Sequence, residues 1–246
     1  MTEVPAWLRG AWRRDALHEG GRVDTSVGVF YVQTPQMFGD VRVPDDRPRF
    51  PYAMGLDELS DDELRLLARQ KGFAGHTTYA GGIVTWHREL DYQPPTGERD
   101  EGRVDLRGRA MREVALDDSY AEDWWRFSTG EGAFLVREQR SAAGRLEQLF
   151  LLAGDHFIYA RNRAIDLPAA PSLDHLVRDA TRDHALAYLD CEVSYGLARG
   201  ARHPWEILRS TLPWREGTRL DVRALPPAVV VDTLDPADRG ALVPEA

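Results

Sequence analysis

Cysteine is almost missing from this chain of 246 residues, in which Cys191 is the single example. One thiol excludes an intrachain disulfide, and together with a start that lacks a signal-peptide pattern it favours a reducing, cytoplasmic setting. Long hydrophobic runs are missing as well. The stretch 224–231 is broken by prolines and falls far short of the ~18 apolar residues of a membrane helix. We therefore expect a cytoplasmic protein without a membrane partner.

Lysine is equally scarce, because Lys71 is the only one and arginine supplies the remaining positive charge. The 31 basic residues are outnumbered by 40 acidic ones, which gives a formal net charge of −9. Generic nucleic-acid binding needs a basic footprint, so we expect no nucleic-acid partner. The excess of arginine over lysine is typical of a GC-rich bacterial genome and carries no functional weight by itself.

Motifs for the common metals and cofactors are also missing. The sequence contains no HExxH or C-x-x-C spacing, no G-x-G-x-x-G or Walker loop and no G-x-S-x-G elbow. His87 and Glu89 form an H-x-E pair, but the cysteine pair of the zinc deaminases is lacking. We therefore predict no metal and no cofactor. Haem ligation by His76, His87 or His156 inside a barrel remains an alternative.

Short β-favouring runs, separated by turn signals, make up most of the chain. The predicted strands are 25–34, 37–43, 73–80, 82–93, 102–116, 123–129, 132–140, 145–153, 156–163, 187–196, 205–211 and 219–222. Strand follows strand without a βαβ rhythm, and this pattern indicates an antiparallel barrel or sandwich. A sheet of this many strands closes or splits, because open edges invite aggregation.

Two helices interrupt the strands. The segment 59–72 begins with the capping box of Ser60 and Glu63 and ends at Gly72. The segment 172–180 is a shorter helix capped by Ser172. The fold class is therefore all-β with minor α content.

Gly10 and Trp12 form a G-x-W pattern in front of the strand series. This opening resembles that of the lipocalin-like (calycin) β-barrels, in which an arginine of the last strand covers the tryptophan at the closed end. The resemblance implies an enlarged or doubled barrel, with Arg219 or Arg223 as the covering arginine. Some barrels of this kind are cofactor-free enzymes of secondary metabolism, such as hydratases and cyclases.

The predicted barrel domain spans residues 1–224 and is possibly divided into two half-barrels near 118–130. The proline-rich segment 225–246 is expected to be a loosely held tail. A barrel interior offers a pocket for a small, largely apolar ligand. The oligomeric state stays open.

The segment 83–92 is the first candidate wall of that pocket. Strand alternation places its chemistry-bearing side chains on two faces, one with His87, Glu89 and Asp91 and the other with Trp86, Arg88, Leu90 and Tyr92. Either the histidine faces the pocket with the acids, or the arginine does with the aromatics, unless a bulge changes the phase. A histidine beside carboxylates suits a general base, whereas an inward arginine needs an acid or an anionic ligand.

Asp40 and Arg42 share one face of the strand 37–43. They form a surface pair if Val41 and Val43 face the core, and a buried pair if the strand faces the other way. In the strand 187–196, Asp190 and Glu192 share a face, and two neighbouring carboxylates raise the pKa of one of them.

Aromatic side chains supply the remaining candidates. Trp214 and Arg215 lie in a proline-bounded turn that suits a barrel mouth, and Trp124 is expected to line core or pocket. We therefore expect cofactor-independent acid–base chemistry (isomerisation, cyclisation, hydration or dehydration) on a small hydrophobic intermediate. The catalytic candidates are His87, Glu192 and Asp40, and the substrate-binding candidates are Arg42, Arg88, Trp86, Tyr92, Trp124, Trp214 and Arg215. A non-catalytic carrier or sensor is the alternative, and a haem-binding barrel is the second.

Overall fold

The computed structural model describes residues 4–128 and 134–226, together with the backbone of 228–232. The strands in this part of the chain are β1 Gly10–Glu19, β2 Arg22–Asp24, β3 Val27–Gln33, β4 Met37–Pro44, β5 Lys71–Ala80, β6 Ile83–Asp91, β7 Asp100–Arg107, β8 Ala110–Ala115, β9 Tyr120–Ser128, β10 Phe134–Arg140, β11 Leu146–Ala153, β12 His156–Arg161, β13 Glu192–Arg199, β14 Pro204–Ser210 and β15 Ala228–Asp232. The helices are α1 Asp61–Leu67, α2 Leu173–Asp179 and α3 Arg182–Leu189. Among the described helices none is long and apolar enough to cross a membrane.

The first half of the chain forms a closed antiparallel β-barrel of eight strands. The strand order is β1-β3-β4-β5-β6-β7-β8-β9, and β9 pairs back with β1. The short strand β2 extends the far end of β1 as a hairpin. Closure removes the unpaired edges that a sheet of this length would otherwise expose. The predicted all-β barrel with minor helices is confirmed.

The second half forms an antiparallel sheet in the order β14-β13-β12-β11-β10-β15. This sheet packs against β3 and β4 of the barrel, where glycines permit close contact. A Cβ on Gly39 would lie 2.6 Å from Ile158 Cγ2, and one on Gly72 would lie 2.9 Å from Val193 Cβ. The barrel is thus enlarged by a covering sheet.

Trp12 lies in the apolar cluster inside the barrel. Its side chain is fully buried, and its indole nitrogen donates to the carbonyl of Leu8 at 2.9 Å. The guanidinium of Arg126 lies 5.1 Å from the ring centroid. The expectation that Arg219 or Arg223 covers the tryptophan is wrong. The barrel ends with β9, so the arginine of its last strand is Arg126.

The helix predictions are confirmed at their starts and differ at their ends. Ser60 and Glu63 form the expected capping box, and Ser172 accepts from the backbone of His175. Helix α1 stops at Leu67 because β5 already begins at Lys71. The first helix is therefore shorter than the predicted 59–72.

Three predicted strands contain other structure. The segment 219–222 has only an isolated bridge between Arg219 and Glu206, followed by a short 3-10 helix, Val222–Ala224. The segment 102–116 is the hairpin of β7 and β8, turned at Gly108 with a φ of +65° that favours glycine. The N-terminal part of 187–196 belongs to α3, which Thr181 caps and which buries Leu189. The capping signal of Thr181 was not used in the sequence prediction.

The predicted tail 225–246 contributes β15, which pairs with β10. Residues 233–246 lie outside the described part, so the prediction for them stays untested. The predicted division near 118–130 falls where the barrel ends at Ser128 and the covering sheet follows at Phe134. The second unit is an open sheet, not a half-barrel.

Candidate functional site

The barrel interior has an apolar end and a charged end. The apolar end is filled by aromatic and aliphatic side chains: Val4, Leu8, Trp12, Val29, Tyr31, Phe38, Phe73, Val84, Trp86, Met111 and Trp124. Toward the other end the inward positions of the same strands carry charges. We call this second part the charged chamber, and its residues are Arg14, Asp40, Arg42, Lys71, Arg88, Asp91, Asp100, Glu113, Tyr120 and Glu122.

A cavity of about 1430 Å³ occupies the chamber and its mouth. The rim is formed by 93–99 of the β6–β7 connection, by residues of the β8–β9 connection and by residues between 162 and 172, which follow β12. Its lining continues onto the outer face of β6. The size is sufficient for a small organic ligand.

A β-bulge in β6 decides which charges enter the chamber. Phe73 pairs with Asp91 and Ala74 with Leu90, but the next residue, Gly75, pairs with Arg88. Glu89 is therefore an extra residue in the ladder, and the phase of side-chain alternation changes across it. A Cβ on Gly75 would lie 1.9 Å from the carbonyl oxygen of His87, so glycine permits this close approach.

Because of the bulge, side chains from both predicted faces of 83–92 point into the barrel. Trp86 and Arg88 face the interior before the bulge, and Asp91 faces it afterwards. Leu90 and Tyr92 instead pack between the barrel and the covering sheet. The exception that the sequence analysis allowed, a bulge that changes the phase, is therefore present, and it separates Asp91 from His87 and Arg88 from Leu90 and Tyr92.

Glu122 is the centre of the charged chamber. Its Oε1 accepts from Arg14 Nη1 at 2.5 Å and from Arg42 Nη1 at 3.0 Å. Arg42 also donates to both carboxylate oxygens of Asp40, at 3.0 and 3.2 Å. Asp40 and Arg42 are thus a buried pair, and burial raises the pKa of Asp40 despite the adjacent guanidinium.

Glu113 lies directly opposite Glu122 in the pairing of β8 with β9. The two side chains are 5% and 2% exposed. Burial, followed by the repulsion of Glu122, raises the pKa of Glu113 well above its ordinary value. Tyr120 donates a hydrogen bond of 3.3 Å to Glu113 Oε1. Two facing carboxyl groups therefore differ in their environments, since only Glu122 contacts guanidinium groups.

Arg88 finds acidic partners at the mouth. It donates to Asp100 Oδ2 at 2.8 and 2.9 Å and to Asp91 Oδ2 at 3.1 Å, and its guanidinium lies 3.7 Å from the centroid of Phe73. The sequence argument that an inward arginine needs an acid is met by these two aspartates. Arg88 and Arg42 are both paired with protein carboxylates, which weakens the prediction that they anchor an anionic ligand.

On the cavity-lining residues of β9, two buried polar atoms lack a hydrogen-bond partner within the described structure. They are Glu122 Oε2 and Trp124 Nε1, an acceptor and a donor on residues that line the cavity. An unsatisfied buried polar atom costs about 1–3 kcal/mol. Their side chains occupy alternate positions of one strand and share one face. The pair is suited to a ligand or water that brings a donor and an acceptor.

His87 lies outside the charged chamber. It stacks on His76 at 4.4 Å between centroids, and its Nε2 lies 2.9 Å from Thr78 Oγ1. His76 Nδ1 contacts Glu89 Oε1 at 3.0 Å, and Glu89 accepts from Arg140 of β10 at 2.5 Å. Burial and the adjacent His76 lower the pKa of His87. This chain of contacts joins the barrel to the covering sheet.

Glu192, Trp214 and Arg215 belong to the covering sheet and its following turn. Glu192 Oε1 accepts from Ser194 at 2.7 Å and from Arg215 at 2.8 Å. Trp214 packs on the core between the two layers. The expectation that the 210–217 turn sits at the barrel mouth is wrong, because none of its residues lines the cavity there. Glu192 therefore does not join Asp40 in one site.

Tyr92 is likewise separate from the chamber, since its hydroxyl donates to the carbonyl of Leu67 at 3.2 Å. Of the predicted site residues, the structure brings Asp40, Arg42, Trp86, Arg88 and Trp124 together. It adds residues that were not among the predicted site residues: Arg14, Tyr31, Asp100, Glu113, Tyr120 and Glu122.

A sequence signal for the missed carboxyl groups was present. Met111, Glu113 and Ala115 alternate in one phase of β8, and Glu122 and Trp124 do so in β9. An acid in phase with apolar residues is the mark of an inward charge. The segment 102–116 was predicted as a single strand, whereas alternation restarts after the turn at Gly108, and the inward position of Glu113 was therefore not recognised.

Comparisons with known proteins leave the chain without an assigned family. No protein-family model matches it, and no curated protein does. Among solved structures, an uncharacterized protein from Bacteroides eggerthii DSM 20697 is similar at 12% identity and a TM-score of 0.30. That match covers 48% of this chain and 98% of the other.

The residues offer a poor fit to haem or to a metal ion. His76 and His87 lie on the outer face of the barrel, and His156 lies where the barrel meets the covering sheet, with Nδ1 2.8 Å from Tyr195 Oη. Within the described ranges no group of three or more histidine, cysteine, aspartate or glutamate residues could hold a metal. We derive no chemistry through either group.

Proposed function

We propose that the charged chamber performs cofactor-independent acid–base chemistry on a small, largely apolar molecule, with Glu113 as general acid and Glu122 as general base. The observation that carries this proposal is the pair of buried carboxyl groups that face each other across β8 and β9. Two carboxyl groups in unlike environments divide the roles of acid and base between them.

The proposed proton transfer uses the two groups in complementary states. The raised pKa of Glu113 favours its protonated form, which donates to a developing negative charge on the substrate. Glu122 has its Oε1 occupied by Arg14 and Arg42, and the partnerless Oε2 accepts the proton that the substrate loses. Isomerisation, cyclisation, hydration and dehydration each need such a pair.

The apolar end supports a substrate with an apolar body. Trp86, Trp124, Tyr31 and Phe38 line the cavity below the charges. Trp124 Nε1 is available to a carbonyl or hydroxyl oxygen. We further propose that the barrel is lipocalin-like, which the eight closed strands and the Trp12–Arg126 contact support.

Exchange of enolisable protons with solvent deuterium tests the proposal. We would incubate a panel of cyclic aryl ketones with the protein in deuterated buffer and follow the α-proton signal by NMR. Glu113→Gln and Glu122→Gln are each expected to slow exchange by about 10²–10⁴-fold, the usual contribution of a general acid or base. Glu147→Gln, on β11 of the covering sheet, is the matched control and keeps the wild-type rate. Exchange that persists in both chamber variants would refute the assignment.

A non-catalytic carrier or sensor is the second candidate. It is favoured by the internal pairing of Arg14 with Glu122 and of Arg42 with Asp40, because a pocket whose charges pair internally can hold a ligand without turnover. A ketone that raises the melting temperature of the wild type without any deuterium exchange would support this candidate against the first.

A further inference from the structure

Lys71 occupies the mouth of the charged chamber. It is the first residue of β5, pairs with Arg42 of β4 and shares the inward face with Phe73 two residues later. Its side chain lines the cavity. Since Lys71 is the only lysine of a chain with 31 basic residues, the cavity receives the single side-chain amine that the sequence contains.

Cations surround this amine. Arg42 is its neighbour on β4, and Arg88 lies beside it at the mouth. Lys71 is exposed to solvent at the mouth. Partial desolvation by the surrounding residues, followed by the repulsion of these two guanidinium groups, lowers the pKa of its amine, with Glu122 as the opposing influence and Arg14 as a further cation. No hydrogen bond or ion pair holds the amine among the residues that the structure describes.

The charge of Lys71 has no dedicated partner, whereas Arg14, Arg42 and Arg88 are each paired with a carboxylate. An arginine at this position would supply the same positive charge but no nucleophile, because the guanidinium stays protonated. A lysine next to other cations is a recognised route to an activated amine. The chemistry that separates lysine from arginine here is nucleophilic addition.

We propose that Lys71 captures aldehydes or unhindered ketones as a Schiff base at the mouth of the barrel. The neutral Nζ adds to the carbonyl carbon and forms a carbinolamine. Nitrogen then expels the oxygen as water, which carries away the two hydrogens that Nζ loses, and a C=N bond replaces the C=O bond. The step needs no oxidant or reductant.

The surroundings define the class of carbonyl compound. Phe73 lies inward of Lys71, with Trp86 and Trp124 beyond it in the lining of the same cavity. Arg88 stacks on Phe73 at 3.7 Å and narrows the mouth. A flat aromatic or conjugated aldehyde places its ring among these side chains and its carbonyl at the amine.

Reductive trapping with benzaldehyde and sodium cyanoborohydride tests this inference. Benzaldehyde has no α-proton, so the result is independent of the proton transfer proposed for Glu113 and Glu122. We expect one benzyl group on Lys71 by intact mass and peptide mapping. At pH 7 the native protein should be labelled roughly tenfold faster than the urea-unfolded chain, because a free amine fraction and a binding cavity both favour addition.

Matched variants make the outcome decisive. Lys71→Arg keeps the charge and should lose the adduct at position 71. Peptide mapping separates that adduct from a label on the N-terminal amine, which has an ordinary pKa of about 8 and also reacts at pH 7. Arg88→Gln removes one flanking cation and should slow labelling at Lys71 severalfold, with circular dichroism to show that it folds. Glu147→Gln should be labelled like the wild type. Labelling of Lys71 no faster in native than in unfolded protein would overturn the proposal.

Discussion

The barrel interior and the core between the barrel and the covering sheet are both buried, but they are built differently. The interlayer core is mainly aliphatic, with a minority of aromatic side chains such as Tyr92 and Tyr195. It is packed closely enough that Gly39 and Gly72 face Ile158 and Val193 without room for a Cβ. The barrel interior places Asp40, Arg42, Glu113 and Glu122 beside its aromatic residues. One core is organised for packing, and the other retains charges that burial makes costly.

The difference teaches where stability and chemistry are located in this fold. Truncation in the close-packed core removes contacts that no other group replaces. Substitution in the charged chamber changes protonation and ligand binding, because its polar groups are coupled electrostatically. The expected effects of four substitutions follow from this contrast.

Leu151→Ala in β11 should have the largest effect on stability. Leu151 is fully buried in the interlayer core, so we expect the free energy of unfolding to fall by about 2–5 kcal/mol in urea titrations. Val23→Ala, at a position that is 62% exposed, is the control and should change it by less than about 0.5 kcal/mol. A cost for Leu151→Ala as small as that of the control would contradict the packing argument.

Gly75→Ala should disrupt the bulge in β6, which determines which side chains of that strand face the charged chamber and which face the interlayer core. The added Cβ would meet the carbonyl oxygen of His87, so the backbone must shift, at a cost of about 1–3 kcal/mol in unfolding free energy. The shift should also disturb Arg88 and lower benzaldehyde labelling of Lys71. Wild-type stability together with wild-type labelling would show that the bulge does not set the chamber.

Glu113→Gln should stabilise the protein at alkaline pH. Burial and Glu122 raise the pKa of Glu113 in the folded state. The stability that the protonated carboxyl group contributes is therefore fully present below the ordinary pKa of 4.5, and it is lost as the pH rises through the raised pKa. The neutral glutamine removes that loss. Melting temperatures of variant and wild type should therefore diverge as the pH increases, and parallel curves would argue against a protonated Glu113.

His156→Gln tests a titratable group of the interlayer region, where the pH dependence of stability has the opposite sign to that of Glu113. Burial lowers the pKa of His156 from 6.5 to about 4, so the folded state favours the neutral imidazole. The stability that this gives is present above pH 6.5 and is lost as the pH falls toward 4. The melting temperature of the variant should therefore depend less on pH than that of the wild type between pH 6.5 and 4. We expect this effect to be smaller than those of the other three substitutions. If the variant loses as much stability as the wild type when the pH falls from 6.5 toward 4, His156 is not the source of that loss.

Much of the architecture could be predicted from local pattern. The strand rhythm, the capping box at Ser60 and the N-cap at Ser172 depend on neighbouring residues or on short-range alternation, which a sequence displays directly. The alternation in β4 also indicated that Asp40 and Arg42 share a face. It left open which face was inside, because Val41 and Val43 are equally suited to a core.

Tertiary structure decided that question by providing two cores. The covering sheet buries the outer face of β4, so Val41 and Val43 become interior without entering the barrel and Asp40 and Arg42 occupy the chamber. A solvent-facing outer side would have reversed this choice, and local alternation contains no information on what packs against a strand from outside.

The sequence by itself determined a β-rich chain with one cysteine and one lysine, in which acids and apolar residues alternate along several strands. Only the tertiary structure decided that Glu113 faces Glu122, that Arg126 covers Trp12 and that Glu89 is the extra residue of a bulge. These contacts join strands through register and closure, which depend on pairing across the whole barrel. The physical reason is that side-chain alternation is local, whereas the register of β8 with β9 and of β5 with β6 is a property of the assembled sheet.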